Sequence, residues 1–526
     1  MVKGRSSEGK NFKESVLRRI ILTAVLATLV TAGAAAAYDV GGEVNLTGSN
    51  EVYSLRQKED GRYWAWDELR AELGIGQRFG IGFIAEFNQP KRDTFGAPDE
   101  YFNEITRKYF RYRDKVFNAY VGDYQKTIGR GLLFRSYENE ELDEDNIVEG
   151  AMVDANVFDL GEVTGFYGAN RREGYDYDDR VRGLAADFRP TRYFSVMTGI
   201  VRCDMEDGFG NPVDTQLNGF GGGFYWDYAD LYAEYADRNG WDASPSANRN
   251  QDGRGYYLNG NVYLPWRNMA VGVQYKDYDH LFYPYSSPPT VTHSGRSINE
   301  GANEKGYMVT GSTRPVRRFK AEAGYAALES RPIMIADYRV TQEVTEYYFT
   351  GRYDFPKPDL FVEGGYTYWD EYTLQHYTGD NPDLNDIEVG ELRKWPSVKV
   401  TYAFLDDFSV FGEFEYEVKT VYRAGPDDDT TYKRFDAGLS YRSLTGFTLL
   451  YEDSSKLERE YWGDPLFDQY RDVDRWVWCE GYLNVLGAHT LTVGYGGKRG
   501  GFVCSGGVCR QEAPFKGLRI TLTSSF

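Results

Sequence analysis

Along most of this chain apolar and polar residues alternate with a period of two, the pattern of strands with one apolar and one wet face. Within residues 408–418, Phe408, Val410, Phe414, Tyr416 and Val418 fall on one face, and Glu413, Glu415 and Glu417 fall on the other. Met269, Val271, Val273 and Tyr275 share a face, and Leu491, Val493 and Tyr495 oppose Thr490, Thr492 and Gly494. The final segment sets Leu518, Ile520, Leu522 and Phe526 against Gly517, Arg519, Thr521, Thr523 and Ser525. Leu- and Ala-rich stretches with a 3.6-residue period are nearly absent.

Short turns separate these segments in pairs. They read at 76–78, 113–115, 159–160, 189–192, 227–228, 265–267, 314–316, 355–358, 405–407, 443–445 and 486–488. Eleven hairpins closed by short turns, joined by longer polar loops and flanked by one strand at each end, predict about 24 strands, with a range of roughly 22–26. The predicted class is all-β: a transmembrane, antiparallel, up-and-down barrel. Charge on a lipid face costs about 2–4 kcal/mol at the midplane for Lys or Arg and less for acids, so Glu413, Glu415 and Glu417 must look into the lumen, as must Arg519.

The N-terminus fits an exported chain. Lys3, Arg5, Lys10, Lys13, Arg18 and Arg19 precede the apolar run 20–30, and Ala35-Ala36-Ala37 offers a cleavage site. About eleven apolar residues are too few to cross ~30 Å of hydrocarbon as a helix. The expected division is a signal peptide at 1–37 and a barrel at 38–526, with no separate plug domain. A last strand that closes on an aromatic residue resembles that of bacterial outer-membrane barrels, where it is read by the barrel-assembly machinery; here the position two before the end is Ser524.

Composition agrees: Tyr, Phe and Trp together reach 16% of the chain and Gly is frequent, as aromatic girdles and close-packed strands require. A propeller or β-helix would show a fixed internal repeat, and none is visible. The formal charge is −20, and the leader carries six basic and two acidic residues, leaving the remainder near −24. Nucleic acid is thereby excluded as a partner. Acidic runs such as 138–146 and 427–429 read as loop tips facing outer-membrane lipid and lipopolysaccharide across divalent cations.

Four outer loops, 89–99, 239–254, 280–304 and 372–389, read as ordinary polar excursions. Residues 125–147 differ. Gly129-Arg-Gly-Leu-Leu-Phe-Arg-Ser-Tyr-Glu-Asn-Glu140 places Leu132, Leu133 and Phe134 in succession between Arg130 and Arg135, with Glu138 following. A solvated loop has no use for such a patch. The expectation is a segment folded against the inner wall, burying the three apolar side chains and bringing both arginines to lumenal acids. It acts there either as a constriction or as a brace. Cys504 and Cys509 bracket Ser-Gly-Gly-Val and could close a small disulfide ring in an oxidising envelope. A redox pair fits less well, because the spacing is not Cys-x-x-Cys and no helix follows. Cys203 and Cys479 read as free thiols.

The run 129–138, together with Cys504-Ser-Gly-Gly-Val-Cys509-Arg510, resembles an uncharacterised family of large porin-like outer-membrane proteins of anaerobic Gram-negative bacteria. The resemblance implies a barrel and carries no substrate.

Motifs for other chemistry are absent. There is no Cys-x-x-Cys-His for covalent haem, no His-Glu-x-x-His and no Gly-x-Ser-x-Gly. The four histidines, His280, His293, His376 and His489, exclude a multi-haem protein. Residues 248–253 are like a calcium loop, but Asn248 opens it and Asn259 stands where a bidentate Glu is needed, so a turn is the better reading. The expectation is therefore no enzyme, no cofactor and no metal. It is a channel in the Gram-negative outer membrane for passive diffusion of small solutes or cations, constricted near Arg130, Arg135 and Glu138. The alternatives are the barrel sheath of a porin–cytochrome conduit, holding a multi-haem cytochrome as partner, and a surface receptor or adhesin.

Overall fold

The structure, a computed structural model, describes residues 44–57, 63–89, 102–139, 144–158, 160–171, 178–206, 212–242, 252–265, 268–281, 285, 288–295, 297–298, 303–335, 338–356, 359–378, 387–405, 407–423, 425–442, 444–454, 474–485, 488–499, 501–505, 508–512 and 515–525. The leader and Phe526 lie outside these residues, as does most of the calcium-like loop. Asn259 belongs to the strand Gly253–Leu264.

Twenty-four antiparallel strands form one closed barrel wall. A short extra strand, Ile333–Ile335, pairs only with Tyr338–Asp354. Closure joins Phe515–Ser525 to Val44–Gln57, with Leu522 opposite Val52 and Arg519 opposite Leu55. Nine of the eleven turns lie within a residue of where alternation puts them. The exceptions are two with a proline: at 189–192 the strand Asp178–Thr191 runs on through a register shift and the chain reverses at Arg192-Tyr193, and at 314–316 the strand Glu304–Val316 continues through the segment and the chain reverses at Arg317-Arg318. Pro315 falls in a register shift between Thr313 and Val316, where its missing N–H leaves no ladder bond unmade. Strand ends also exceed two predicted loop bounds. The loop at 239–254 is shortened by a strand reaching Asp242, and that at 372–389 by strands reaching Tyr377 and starting at Ile387.

The turn end is tied into a rim. Arg113 N–H donates to the Arg78 carbonyl at 2.7 Å, Tyr225 N–H to Tyr193 at 2.8 Å, and Ser525 N–H to Ala488 at 2.8 Å, each bond joining neighbouring hairpins. Both the first and the last strand reach this end. About 9–11 tilted residues suffice to cross a bilayer. Asp359–Tyr377 and Ile387–Leu405 have 19 each, so the surplus stands beyond the membrane at the loop end.

Alternation sorts the faces. Ile81, Leu184, Ile200, Val309, Phe349, Val398, Leu439 and Ile520 stay exposed on the outside, an apolar band that only lipid can cover favourably. Aromatic pairs rim the band at the turn end, including Phe79–Tyr112 at 5.1 Å, Phe194–Phe224 at 5.2 Å and Phe408–Tyr441 at 4.6 Å. Tyr235–Tyr256 at 4.9 Å and Tyr347–Tyr368 at 4.3 Å lie toward the loop end. This is the girdle arrangement of membrane-spanning barrels. Ile520→Arg is expected to destabilise the barrel in liposomes by about 2–4 kcal/mol, whereas Thr521→Arg, on the inner face, costs little. Urea-induced unfolding in lipid measures both, and equal penalties would contradict the facing rule.

Candidate functional site: loops folded into the lumen

A 24-strand wall with strands ~4.8 Å apart and tilted about 40° has a diameter of roughly 45–50 Å between strand axes, far too wide for wall side chains to fill. Among the described residues, two segments fold inward to occupy part of that space.

The first is 125–147. Lys126–Ile128 and Phe134–Ser136 pair as a small hairpin. Lys126 Nζ ties its base to the wall through Asp154 at 2.7 Å and Glu162 at 2.6 Å. Leu132, Leu133 and Phe134 are completely buried. Leu133 lies so close to the wall that a Cβ at Gly199 would come within 2.7 Å of it, and one at Gly219 within 3.0 Å. Phe134 packs on Phe166, with ring centroids 4.5 Å apart. Gly129 has φ +64°, and a Cβ there would stand 2.5 Å from the Glu234 carboxylate, so two constraints select glycine.

The second inward segment comprises the described residues of 280–304, and for these the polar-excursion reading is corrected. Leu281, Tyr285, Val291 and Ile298 are buried inside the barrel. The two segments touch: Arg135 N–H donates to the Tyr285 carbonyl at 2.6 Å, and the Phe134 and Tyr285 rings stack at 5.8 Å. Consecutive Leu132 and Leu133 enter two separate apolar clusters, which together line the wall from Phe117–Tyr124 to Ile387–Leu405.

Three inward carboxylates anchor the backbones of these two loops, and Glu452 accepts in the same way from Arg499 N–H at 3.1 Å. Glu234 accepts from Arg130 N–H at 2.7 Å and from Tyr232 Oη at 2.7 Å. Glu346 takes a bidentate pair, His293 N–H at 2.6 Å and Ser294 N–H at 3.0 Å, while the His293 ring stacks on Tyr348 at 3.6 Å. Glu304 accepts from Ile298 N–H at 2.7 Å and pairs with Lys276, both fully buried. A carboxylate aimed at backbone N–H groups fixes a loop without demanding a particular loop side chain. None of these residues stands out in the sequence, because alternation marks them as inward and nothing more.

The residues singled out from the sequence divide between this packed arc and the opposite, wetter arc. Arg130 reaches Glu234 through its backbone N–H, and its guanidinium lies over Tyr232 at 5.2 Å. Arg135 lies over Tyr137 at 4.3 Å. Glu138 meets Arg107 of the wall at 3.7 Å. Arg130 is thus brought to the lumenal acid Glu234, through its backbone N–H and its charge, and both guanidinium groups lie over aromatic faces. Far from them, Glu413, Glu415 and Glu417 do face inward, but each has a base nearby: Lys399 at 2.8 Å, Arg434 at 4.0 Å and Arg393 at 3.6 Å. Arg519 pairs with Glu480 and lies 5.3 Å from the Trp478 ring. Glu304 and Glu346 are 0% exposed, whereas the side chains of Glu413, Glu415 and Arg519 are 28%, 32% and 27% exposed; their arc also holds buried groups, Arg393, Asp436, Glu452, Trp476 and Trp478.

Cys504 and Cys509 are direct backbone partners in the hairpin Gly501–Ser505 and Val508–Glu512, but their side chains lie outside what the structure describes. Cys203, buried, and Cys479 are not joined in a disulfide. Among the described residues no group of three or more His, Cys, Asp or Glu could hold a metal ion.

The chain is similar in shape to several solved barrels at low identity. The siderophore receptor PirA from Pseudomonas aeruginosa shares 10% identity, with 91% of this chain and 80% of that one covered and a TM-score of 0.46. OccK3 (OpdO) of Pseudomonas aeruginosa shares 14%, with 69% and 96% covered and a TM-score of 0.39. A BenF-like porin from Pseudomonas fluorescens Pf-5 shares 12%, with 67% and 98% covered and a TM-score of 0.39. No curated protein matches the chain in sequence. The model of a family of unknown function, DUF6029, matches residues 33–286 and 476–526, more than half of the sequence, and the protein belongs to that family.

Proposed function

We propose that this protein is a passive channel of the Gram-negative outer membrane, reached by export behind a cleaved leader, and that its own two inward loops set the width of its passage. One observation carries the reading: among the described residues the two loops press on one arc of the wall, while on the other arc the side chains of Glu413, Glu415, Glu480 and Arg519 keep 28%, 32%, 28% and 27% of their surface exposed. An arc of solvated charge opposite an arc of packed loop is what a narrowed aqueous pore requires. The cytochrome-sheath reading needs free space around the whole circumference, and the packed arc speaks against it.

Inward carboxylates outnumber inward cations between Asp359 and Ser525. Most are paired, so the field is weaker than three bare glutamates would give. The expected result in planar bilayers is a modest cation preference by reversal potential under a KCl gradient. Glu413→Gln with Glu415→Gln should reduce it. A clear anion preference in the unmodified protein would overturn the selectivity, and a lack of conductance would overturn the channel.

A further inference from the structure

On the turn side of the second loop, the lumen wall holds a cavity of about 390 Å³ lined by Arg314, Lys320, Glu322, Arg352, Asp354 and Glu363. The His293 ring stacks on Tyr348, and Tyr348 Oη donates to Glu322 at 2.8 Å, so the cavity floor connects directly to the anchored loop.

Its charges are sorted in an unusual way. Lys320 and Arg352 are direct cross-strand partners, and like charges facing each other in this manner destabilise a sheet. Arg314 extends the row on the next strand. It sits in the register shift at Pro315, and such irregularities commonly re-aim a side chain. Glu363 is the partner of Arg352 on the other side. Arg352 is balanced by Asp354 at 2.9 Å, and Lys320 has only Glu322 at 4.0 Å. The side chains of Arg314 and Glu363 have no ion-pair or hydrogen-bond partner among the described residues. The cavity therefore presents an unmatched cation at one end and an unmatched carboxylate at the other, across three strand spacings of ~4.8 Å.

We propose that this cavity is a subsite for small zwitterionic solutes, of amino-acid to short-peptide size. The row Arg314, Lys320 and Arg352 holds the carboxylate, and Glu363 holds the ammonium group. A guanidinium matches a carboxylate with paired N–H donors, and a bound carboxylate relieves the repulsion between Lys320 and Arg352. The inference deepens the channel reading and rests on it.

The test uses single-channel KCl current through the full-length protein, with diglycine, acetate or ethylammonium added as blocker. Arg314→Gln with Lys320→Gln is expected to weaken diglycine and acetate block about tenfold, the loss of one charge-assisted contact, and to leave ethylammonium unchanged. Glu363→Gln should weaken diglycine and ethylammonium and leave acetate unchanged. Conductance with the same diglycine block in every variant overturns the subsite alone. Loss of acetate block without any effect of Glu363→Gln on diglycine overturns the zwitterion assignment. Absence of current in the unmodified protein overturns the channel reading beneath it.

Discussion

Replacing Leu133 and Phe134 together by aspartate is expected to raise single-channel conductance about two- to threefold, because the loops cover more than half of the wall and conductance follows the free cross-section. Both side chains are fully buried between the hairpin and the wall. Each contributes roughly 1.5–3 kcal/mol by leaving water. Two unpaired carboxylates in their place could not remain there, since burying an isolated charge costs far more than the loop gains by staying. The segment should leave the wall while the strand ladder, which does not depend on it, persists. Heat-modifiable migration on gels reports the intact barrel, and the conductance reports the loop. An intact barrel with unaltered conductance would mean that the hairpin braces the wall without narrowing the passage.

Lys276→Ala should produce a large loss of stability. Lys276 and Glu304 are both completely buried, on neighbouring strands beneath the second loop. Removing the ammonium strands a carboxylate, for which about 3–5 kcal/mol is typical. Glu304 also accepts from Ile298 N–H, so the second loop should loosen at the same time. Lys276→Met with Glu304→Leu is expected to recover much of the loss, because the desolvation penalty of both charges disappears with them. Thermal unfolding in detergent measures the single and double variants. A single variant as stable as the parent would place water around the pair.

Much of this architecture is legible in the sequence, because a barrel wall is governed by one local rule. Lipid on one side and water on the other force a two-residue period, and a tight turn must interrupt it at each hairpin. That is why counting turns gives the strand number, and why Arg519 can be assigned to the lumen from Leu518 and Ile520 alone. The displaced turn at Arg314–Val316 shows the limit of the rule. Proline signals a turn in most contexts, yet at Pro315 it occupies a register shift inside a strand end.

The inward hairpin was readable for a different reason: Leu132, Leu133 and Phe134 are contiguous, and contiguous apolar residues cannot alternate between faces. The second loop carries a similar signal only at its start, where Leu281-Phe282-Tyr283 is followed by Pro284 and Tyr285. Val291 and Ile298 stand apart among prolines, serines and threonines, so each resembles a chance apolar residue in a polar excursion. Charges were hardest to rank. Glu304, Glu346 and Glu413 all obey the inward rule, and only the packing of distant segments decides which anchors a loop and which meets water. The row Arg314, Lys320 and Arg352 likewise requires cross-strand register, which no local pattern encodes.

The central claim, that the protein's own loops set the width of an aqueous passage, is tested most directly by polymer exclusion in planar bilayers. Conductance of the unmodified channel is measured with polyethylene glycols of increasing size on both sides. The predicted cutoff lies far below that of an empty 24-strand lumen and rises in the Leu133→Asp, Phe134→Asp variant. A cutoff near the full lumen width in the unmodified protein, or the same cutoff in both, would contradict it.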